Sequence, residues 1–526
     1  MIKKILLLIL IGVPISLFGQ KGQLTGFEND VELGNVYKSN TLLRGCRYTF
    51  DDRIHRCNMD SSAGFINIQF RGITKNGKFL NNKGYMGCFN LSKKQMEWSK
   101  KINYQTMSIL QSKTWLILSN VDKSSSIDPL TGAENWSLRK NIYFVDDIQR
   151  LALGYSSIYG ITTPSQTLKA FDRQNGQEVW QRKINREFAW NEAFHLNDSI
   201  LMVVSSGLHA INLHTGKGWD YEAVTGSKDY TKMAIMNGVG IGLGLLTGVF
   251  VTSSGYDVVK DLVSNVISDS TCFFIASKEE LACLDHSGNK MWTTPLPKGL
   301  TSKSVLLEQD SSIILINKGT AHLGYRAVQV GKPFIASYSQ KKGVENFLSI
   351  IDLPKIQITD FYCVPDTVYV LTKQQVMKCS LKQGSIEYTN GNIVSENEEL
   401  VSFLSRRKIY LPLNDSTYQS FAQSDSTLLP IYTTAGKVLL MTHQMKVVKE
   451  FNYADLYIAY LKQNGLIFLA NRQQTIVINK DGHPVAELKA SKEAWMKKDV
   501  LYDTDNNSLI AIDLKPLWSV TTTSSY

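Results

Sequence analysis

Short apolar or alternating runs bounded by polar turns recur along the chain. Among them are SSIYGIT (156–162), DSILMVVSS (198–206) and DSTCFFIAS (269–277). Runs of that length, rich in β-branched and aromatic residues, predict strands. A second pattern follows many of them: an Asp or Asn, two or three residues, a Gly, then a Trp. SIDPLTGAENW ends at Trp136, AFDRQNGQEVW at Trp180, AINLHTGKGW at Trp219 and CLDHSGNKMW at Trp292. A degenerate copy, CFNLSKKQMEW, ends at Trp98. CSLKQGSIEY puts Tyr388 in the Trp position, and VINKDGHPVAEL keeps the turn without the aromatic.

Each part of the unit has a physical role. The Asp or Asn side chain accepts from nearby backbone N–H groups, and the Gly takes a positive φ that a side chain resists. The aromatic then falls at a fixed point on the following strand, where it wedges between successive units and buries about 150–250 Å². The copies recur roughly every 40 residues, the period of a propeller blade. The fold predicted is therefore all-β: a β-propeller of four-stranded antiparallel blades, eight in number, with seven as the alternative. Degenerate blades are expected around 347–352, 377–381, 447–451 and 475–482. NSLIAIDLKPLW, ending at Trp518, is expected to complete a blade shared with the N-terminal strands.

These residues resemble the quinoprotein alcohol dehydrogenase-like (PQQ-like) repeat family, whose unit carries an Asp, a Thr-Gly turn and a Trp. Asp128, Thr131, Gly132 and Trp136 match it fully; Asp172, Gly176 and Trp180 match with Asn175 for Thr. Thr215, Gly216 and Trp219 match with Asn212 for Asp and one residue missing before the Trp. Asp285, Gly288 and Trp292 match with a shorter turn. Enzymes of that family hold pyrroloquinoline quinone and Ca²⁺ over the propeller axis, and many also carry a pair of adjacent cysteines. This chain has no Cys-Cys pair, and no residue is assigned as calcium ligand or catalytic base. The resemblance therefore implies a non-catalytic member with no cofactor and no metal. The likeness is to the propeller lipoprotein of the outer-membrane barrel-assembly machinery, a protein-docking platform, but without a lipobox cysteine.

The ends and the composition refine this picture. Lys3 and Lys4, an apolar run from Ile5 to Phe18 and small or polar residues after it have the layout of a signal peptide over 1–20, which implies export. The remaining 21–526 is expected to be one propeller. Net charge is +10, spread without a basic run interleaved with aromatics, so nucleic acid is not an expected partner. Of seven cysteines, Cys46 and Cys57 flank TFDDRI and are the candidate disulfide, facing each other across a hairpin. GxSxG, HExxH, P-loop and EF-hand patterns do not occur. His209 and His214 fall on opposite faces of a strand and read as surface or turn histidines, and His286 as a solvated turn residue.

One stretch interrupts the repeat. NGVGIGLGLLTGVF (237–250) lies within 221–257, an insertion between blades that makes the Trp219–Trp292 interval about 30 residues longer than its neighbours. Met233 to Tyr256 carries no charge, and Gly240, Gly244 and Gly248 would form one smooth stripe on a helix. A membrane span there would put the two halves of the propeller on opposite sides of a bilayer. The open readings are a lid on its own propeller, self-association, or contact with a partner or membrane surface through 233–251. Gly240, Gly244, Gly248, Leu243, Leu246 and Phe250 are the candidate contact residues. The function expected is a non-enzymatic, exported propeller that binds protein partners in the bacterial cell envelope, in the periplasm or at the outer membrane. The alternatives are a divergent quinone-dependent dehydrogenase or a glycan- or ligand-binding propeller.

Overall fold

The computed structural model describes residues 22–522 apart from 60–63, 105–106, 112–114, 121–122, 157–165, 185–189, 191, 224–258, 261–262, 324–325, 353–357, 405–408, 414–416 and 421–427. The expected signal peptide and the glycine-rich stretch 237–250 lie outside these residues. So does most of SSIYGIT, whose neighbouring strand is Leu151–Ser156.

The described chain is almost all strand, arranged as antiparallel four-stranded sheets, as the repeat predicts. Eight separate sheets of four follow one another over 53–103, 107–138, 140–183, 192–222, 267–295, 304–350, 360–388 and 400–452. We number these units 1 to 8. In units 1 to 5 and 7, consecutive strands pair in chain order, each with the next. Two more groups of four lie within one eleven-stranded sheet: unit 9 over 457–488, and unit 10 over 495–513. Unit 10 is completed by Thr41–Phe50, which pairs with Ser508–Asp513 (Cys46 opposite Ala511). Leu24–Val36 pairs with Thr41–Phe50 on one side and with Pro484–Leu488 of unit 9 on the other, so the N-terminal ribbon bridges both units.

Both faces of these sheets are apolar, so alternate residues of one strand enter two different clusters. In Ile200–Val204, Leu201 and Val203 pack with unit 3, whereas Met202 and Val204 pack with unit 5. In Ser312–Asn317, Ile313 and Leu315 join unit 5 while Ile314 and Ile316 join unit 7. Shared clusters also join units 1 and 2, 2 and 3, 7 and 8, and 9 and 10. Units 8 and 9 are linked through Ile409–Leu413, whose Ile409 packs on unit 8 and pairs with Ile458 of unit 9. Another cluster joins Tyr48, Phe50, Tyr502 and Leu509 of unit 10 to Ile66, Ile68, Phe70 and Phe89 of unit 1.

The turn before each repeat aromatic joins neighbours in a second way. Gly132 of unit 2 lies against Trp98 of unit 1, Gly176 against Trp136, and Gly216 against Trp180; an added Cβ would come within 2.6, 2.9 and 2.7 Å of those rings. Positive φ values of 71°, 70° and 70° at these glycines complete the reason no side chain fits. We expect Gly176→Ala to lower the unfolding temperature more than Gly465→Ala. Both positions have positive φ, costing about 1–2 kcal/mol in strain, but Gly465 has nothing within 4 Å of an added Cβ. Overpacking against Trp136 should add about 1–3 kcal/mol. Equal shifts in a calorimetric scan would mean that the ring contact contributes nothing.

Candidate functional site

The repeat residues converge at the joints between units. In unit 2, Asp128 Oδ1 accepts from the N–H groups of Leu130 and Thr131 at 2.8 and 2.9 Å, and Gly132 N–H closes the turn on Asp128 O. Asp172 does the same for Gln174 and Asn175, and Asn212 for His214 and Thr215. Asp285 accepts from Ser287 and Asn289. The indole of the preceding unit then donates its N–H to the carbonyl one residue past the acidic or amide position. Trp98 donates to Pro129 O, Trp136 to Arg173 O, Trp180 to Leu213 O and Trp219 to His286 O, at 2.6–3.0 Å.

A β-bulge aims these rings. The register slips by one residue before Trp98, Trp136, Trp180 and Trp292, which turns the aromatic onto the face shared with the next unit. The bulged residues Val179 and Met291 are accordingly exposed. Unit 4 lacks the residue that would form the bulge. Its last strand, Asp220–Glu222, keeps regular register, and Trp219 is only partly buried.

One joint was not visible in the repeat as first recognised. Trp292 donates to Gln340 O at 2.9 Å, within a turn formed by Ser339 and Gly343, and Phe347 follows. Ser339, Gly343 and Phe347 keep the four-and-four spacing of Asp128, Gly132 and Trp136, with Ser for Asp and Phe for Trp. Ser380, Gly384 and Tyr388 repeat that spacing, and Phe347 packs on Gly384. In unit 1 Lys94 occupies the Gly position at φ 57°. The Trp98 and Tyr388 copies were read from the sequence, and spacing alone, with the residue types relaxed, would also have found Ser339–Gly343–Phe347.

The incomplete joint of unit 4 leaves an open crevice of about 420 Å³ against unit 5, lined by Leu196, Ile200, Ala210, Trp219, His286 and Ser287 among others. His286 is exposed in its turn, as expected, with its ring 4.9 Å from that of Phe273. His209 departs from expectation. It is fully buried, its Nδ1 lies 2.7 Å from Asp220 Oδ1, and Arg182 Nη2 of unit 3 donates to the same oxygen at 2.7 Å. The pairing of Gly207–Asn212 with Asp220–Glu222 sets His209 opposite Asp220, which is why a nominal surface histidine is interior. At the same joint between units 3 and 4, His195 Nε2 lies 2.6 Å from Asp146 Oδ1, and that buried carboxylate also accepts from Gln149 N–H, so it anchors a turn.

Cys46 and Cys57 do not face each other across a hairpin. Thr41–Phe50 pairs within unit 10, and Arg53–Met59 opens unit 1 against Phe65–Ile73. Both carry free thiols, with Cys46 Sγ 3.1 Å from Asn29 Oδ1. The candidate contact residues Gly240, Gly244, Gly248, Leu243, Leu246 and Phe250 lie outside the described residues. Among the described residues no group of three or more His, Cys, Asp or Glu side chains is placed to hold a metal, and no helix is long and apolar enough to cross a membrane.

No protein-family profile matches the chain, and no curated protein sequence matches it. Solved structures give similarities at low identity. BamB from Moraxella catarrhalis is 12% identical over 72% of this chain and 96% of its own, with a TM-score of 0.33. Apo AztD from Citrobacter koseri is 11% identical over 76% and 94%, with a TM-score of 0.30. The dihydro-heme d1 dehydrogenase NirN is 10% identical over 70% of each chain, with a TM-score of 0.32. Similarities of this size assign neither a family nor an activity.

Asp220 gives a pH-dependent prediction. Desolvation acts to raise its pKa, but hydrogen bonds from His209 and Arg182 outweigh it and hold the carboxyl below its ordinary value of 3.8. A depressed folded-state pKa stabilises the fold above the unfolded value and loses that contribution as pH falls through the folded one. The melting-temperature difference between wild type and Asp220→Asn should therefore be largest above the ordinary carboxyl value of 3.8 and shrink as pH falls through the lower folded-state value. A difference that is flat across this range would show that the ion pair does not stabilise the joint.

Proposed function

We propose that the chain is a closed β-propeller of ten blades, exported to the bacterial cell envelope, that binds protein partners and catalyses no reaction. Ten replaces the expected eight because units 6 to 10 keep the sheet architecture while losing most of the Asp-Gly-Trp signature. The observation that carries this reading is the continuous series of shared apolar clusters, with unit 10 packed on unit 1. Closure of this kind leaves few strand edges and directs outside contacts to loops at the two ends.

One end supports a binding role more than the other. Because strands alternate in direction, links between units and links between the second and third strands of a unit fall at the same end. The insertion 221–257 is such a link, joining units 4 and 5. The segment between the second and third strands of unit 6 is another. Its hairpin, Thr320–Leu323 with Arg326–Gln329, pairs with Val259–Lys260 just past the insertion, so the two connections share one small sheet. The repeat residues Asp128, Gly132, Trp136, Asp172, Gly176, Trp180, Gly216, Trp219, Asp285, Gly288 and Trp292 serve the blades in this reading, and the insertion serves the partner.

Two experiments test the reading. Leu509→Ala, at the joint between units 10 and 1, should cost about 2–5 kcal/mol, comparable to Leu153→Ala inside the series; both side chains are fully buried. A much smaller cost at Leu509 would mean an open ring. In a mild-detergent pull-down from the native cell envelope, the intact protein should recover specific outer-membrane proteins that a variant lacking 236–252 loses. Recovery of the same proteins by both would remove the insertion from the interface. A saturable thermal shift with pyrroloquinoline quinone and Ca²⁺ would overturn the non-enzymatic assignment.

A further inference from the structure

Unit 1 brings together three guanidinium groups that are apart in sequence. Antiparallel pairing sets Arg53 directly opposite Arg71, and a register slip beyond Ile54 sets Arg56 opposite Gln69 on the same face. The slip leaves His55 as the extra residue between them. Arg53, His55 and Arg56 are exposed. Like charges directly opposite each other destabilise a strand pair, so the sheet does not gain from this arrangement.

The cluster is also held in place. Arg71 lies over the ring of Tyr104, its Cζ 3.9 Å from the centroid, and Tyr104 Oη donates to the carbonyls of Phe70 and Tyr85. Arg53 lies over Phe79 at 4.5 Å. Stacking occupies the flat face of a guanidinium and leaves its N–H edge available to acceptors. Arg71 Nη2 donates to His55 Nε2 at 3.1 Å; arginine only donates, so that nitrogen is the acceptor. Loss of water around the imidazole, and after it the charges of Arg71, Arg56 and Arg53, hold His55 below its ordinary pKa. Among the described residues neither Arg53 nor Arg56 has an ion-pair partner, although the carboxylate of Asp51 is exposed two residues before Arg53.

The surroundings extend the same chemistry. The hairpin that follows carries exposed Lys75 and Lys78, and Ile73 and Phe79 beside them are 40% and 39% exposed. Arg53 begins the first strand and Arg71 lies near the end of the second. The cluster therefore sits at the same end of the sheets as the link between units 4 and 5.

We propose that Arg53, Arg56 and Arg71, with His55, form a binding site for a phosphate group. A tetrahedral dianion has more acceptor oxygens and more charge than a carboxylate with which to bridge guanidinium edges presented from two strands. The phosphate has two sources consistent with these residues: a soluble phosphorylated compound, or the headgroup of an anionic lipid, for which Ile73 and Phe79 supply apolar contact. This site does not depend on the scaffold reading.

The test uses the full-length protein with inorganic pyrophosphate, followed by calorimetry at constant ionic strength. A second arm uses vesicles of phosphatidylcholine with or without phosphatidylglycerol, followed by co-sedimentation. Arg53→Ala/Arg56→Ala should weaken binding roughly tenfold or more. Lys341→Ala/Lys342→Ala, which removes the same charge from the third-to-fourth-strand turn of unit 6, should leave binding unchanged. Arg56→Gln keeps the Arg53–Phe79 stack and covers the case in which the double variant fails to fold. Pyrophosphate binding with no preference for anionic vesicles identifies a soluble ligand; the reverse identifies a lipid headgroup. Binding to neither probe, or equal loss in both double variants, overturns the site.

Discussion

The structure depends on a repeated contact between an aromatic side chain and the turn of the next sheet. A sheet with two apolar faces is insoluble alone, and the face-to-face clusters satisfy that without specifying how far one sheet slides along another. The indole does specify it. Its ring covers a glycine that tolerates nothing larger, and its N–H reaches a carbonyl that the same turn has oriented. The acidic or amide residue holds the turn, the turn presents glycine and carbonyl, and the bulge aims the ring. Three local devices thus fix one long-range relation.

Where a device is missing, the consequence is local. Unit 4 has one residue fewer between Gly216 and Trp219, so it has no bulge, its last strand is short, and Trp219 stays partly exposed. The hydrogen bond to His286 O survives, but the packing around it opens into a crevice. The same joint precedes the insertion. A short final strand thus leads directly into the one long inter-unit link, whereas the fully bulged units 2 and 3 connect through far shorter segments.

The sheet type and the joints over about half the chain were legible because their chemistry is local: Asp, Gly and Trp lie within nine residues and each has one role. Unit 7 was read through Tyr388 in the Trp position, but unit 6 was harder, because Ser339 makes a weaker turn than Asp, Phe347 replaces the indole, and only the spacing persists. Unit 10 was legible in NSLIAIDL as a blade shared with the N-terminal strands, and Thr41–Phe50 does pair with Ser508–Asp513, although Trp518 itself lies in a short helix beyond the strand. His209 looked like a surface residue because its partners Asp220 and Arg182 sit on another strand and another unit. The arginine cluster was invisible for a similar reason. Composition showed no basic run, and only strand pairing sets Arg53 against Arg71.

The N-terminal ribbon imposes an order on assembly. Tyr37 hydrogen-bonds Glu487, 450 residues away, and Cys46 pairs opposite Ala511. The N-terminal strands pair with each other at once, but the outer edges of their ribbon find partners only in the last units, and until then those edges are of the unpaired kind that aggregates. Units 1 to 8 contain all of their own strands and need nothing from the far end of the chain to pair them. The packing of unit 10 on unit 1 needs both ends of the chain together, so a chain interrupted near its end would retain most of its sheets and lack that joint.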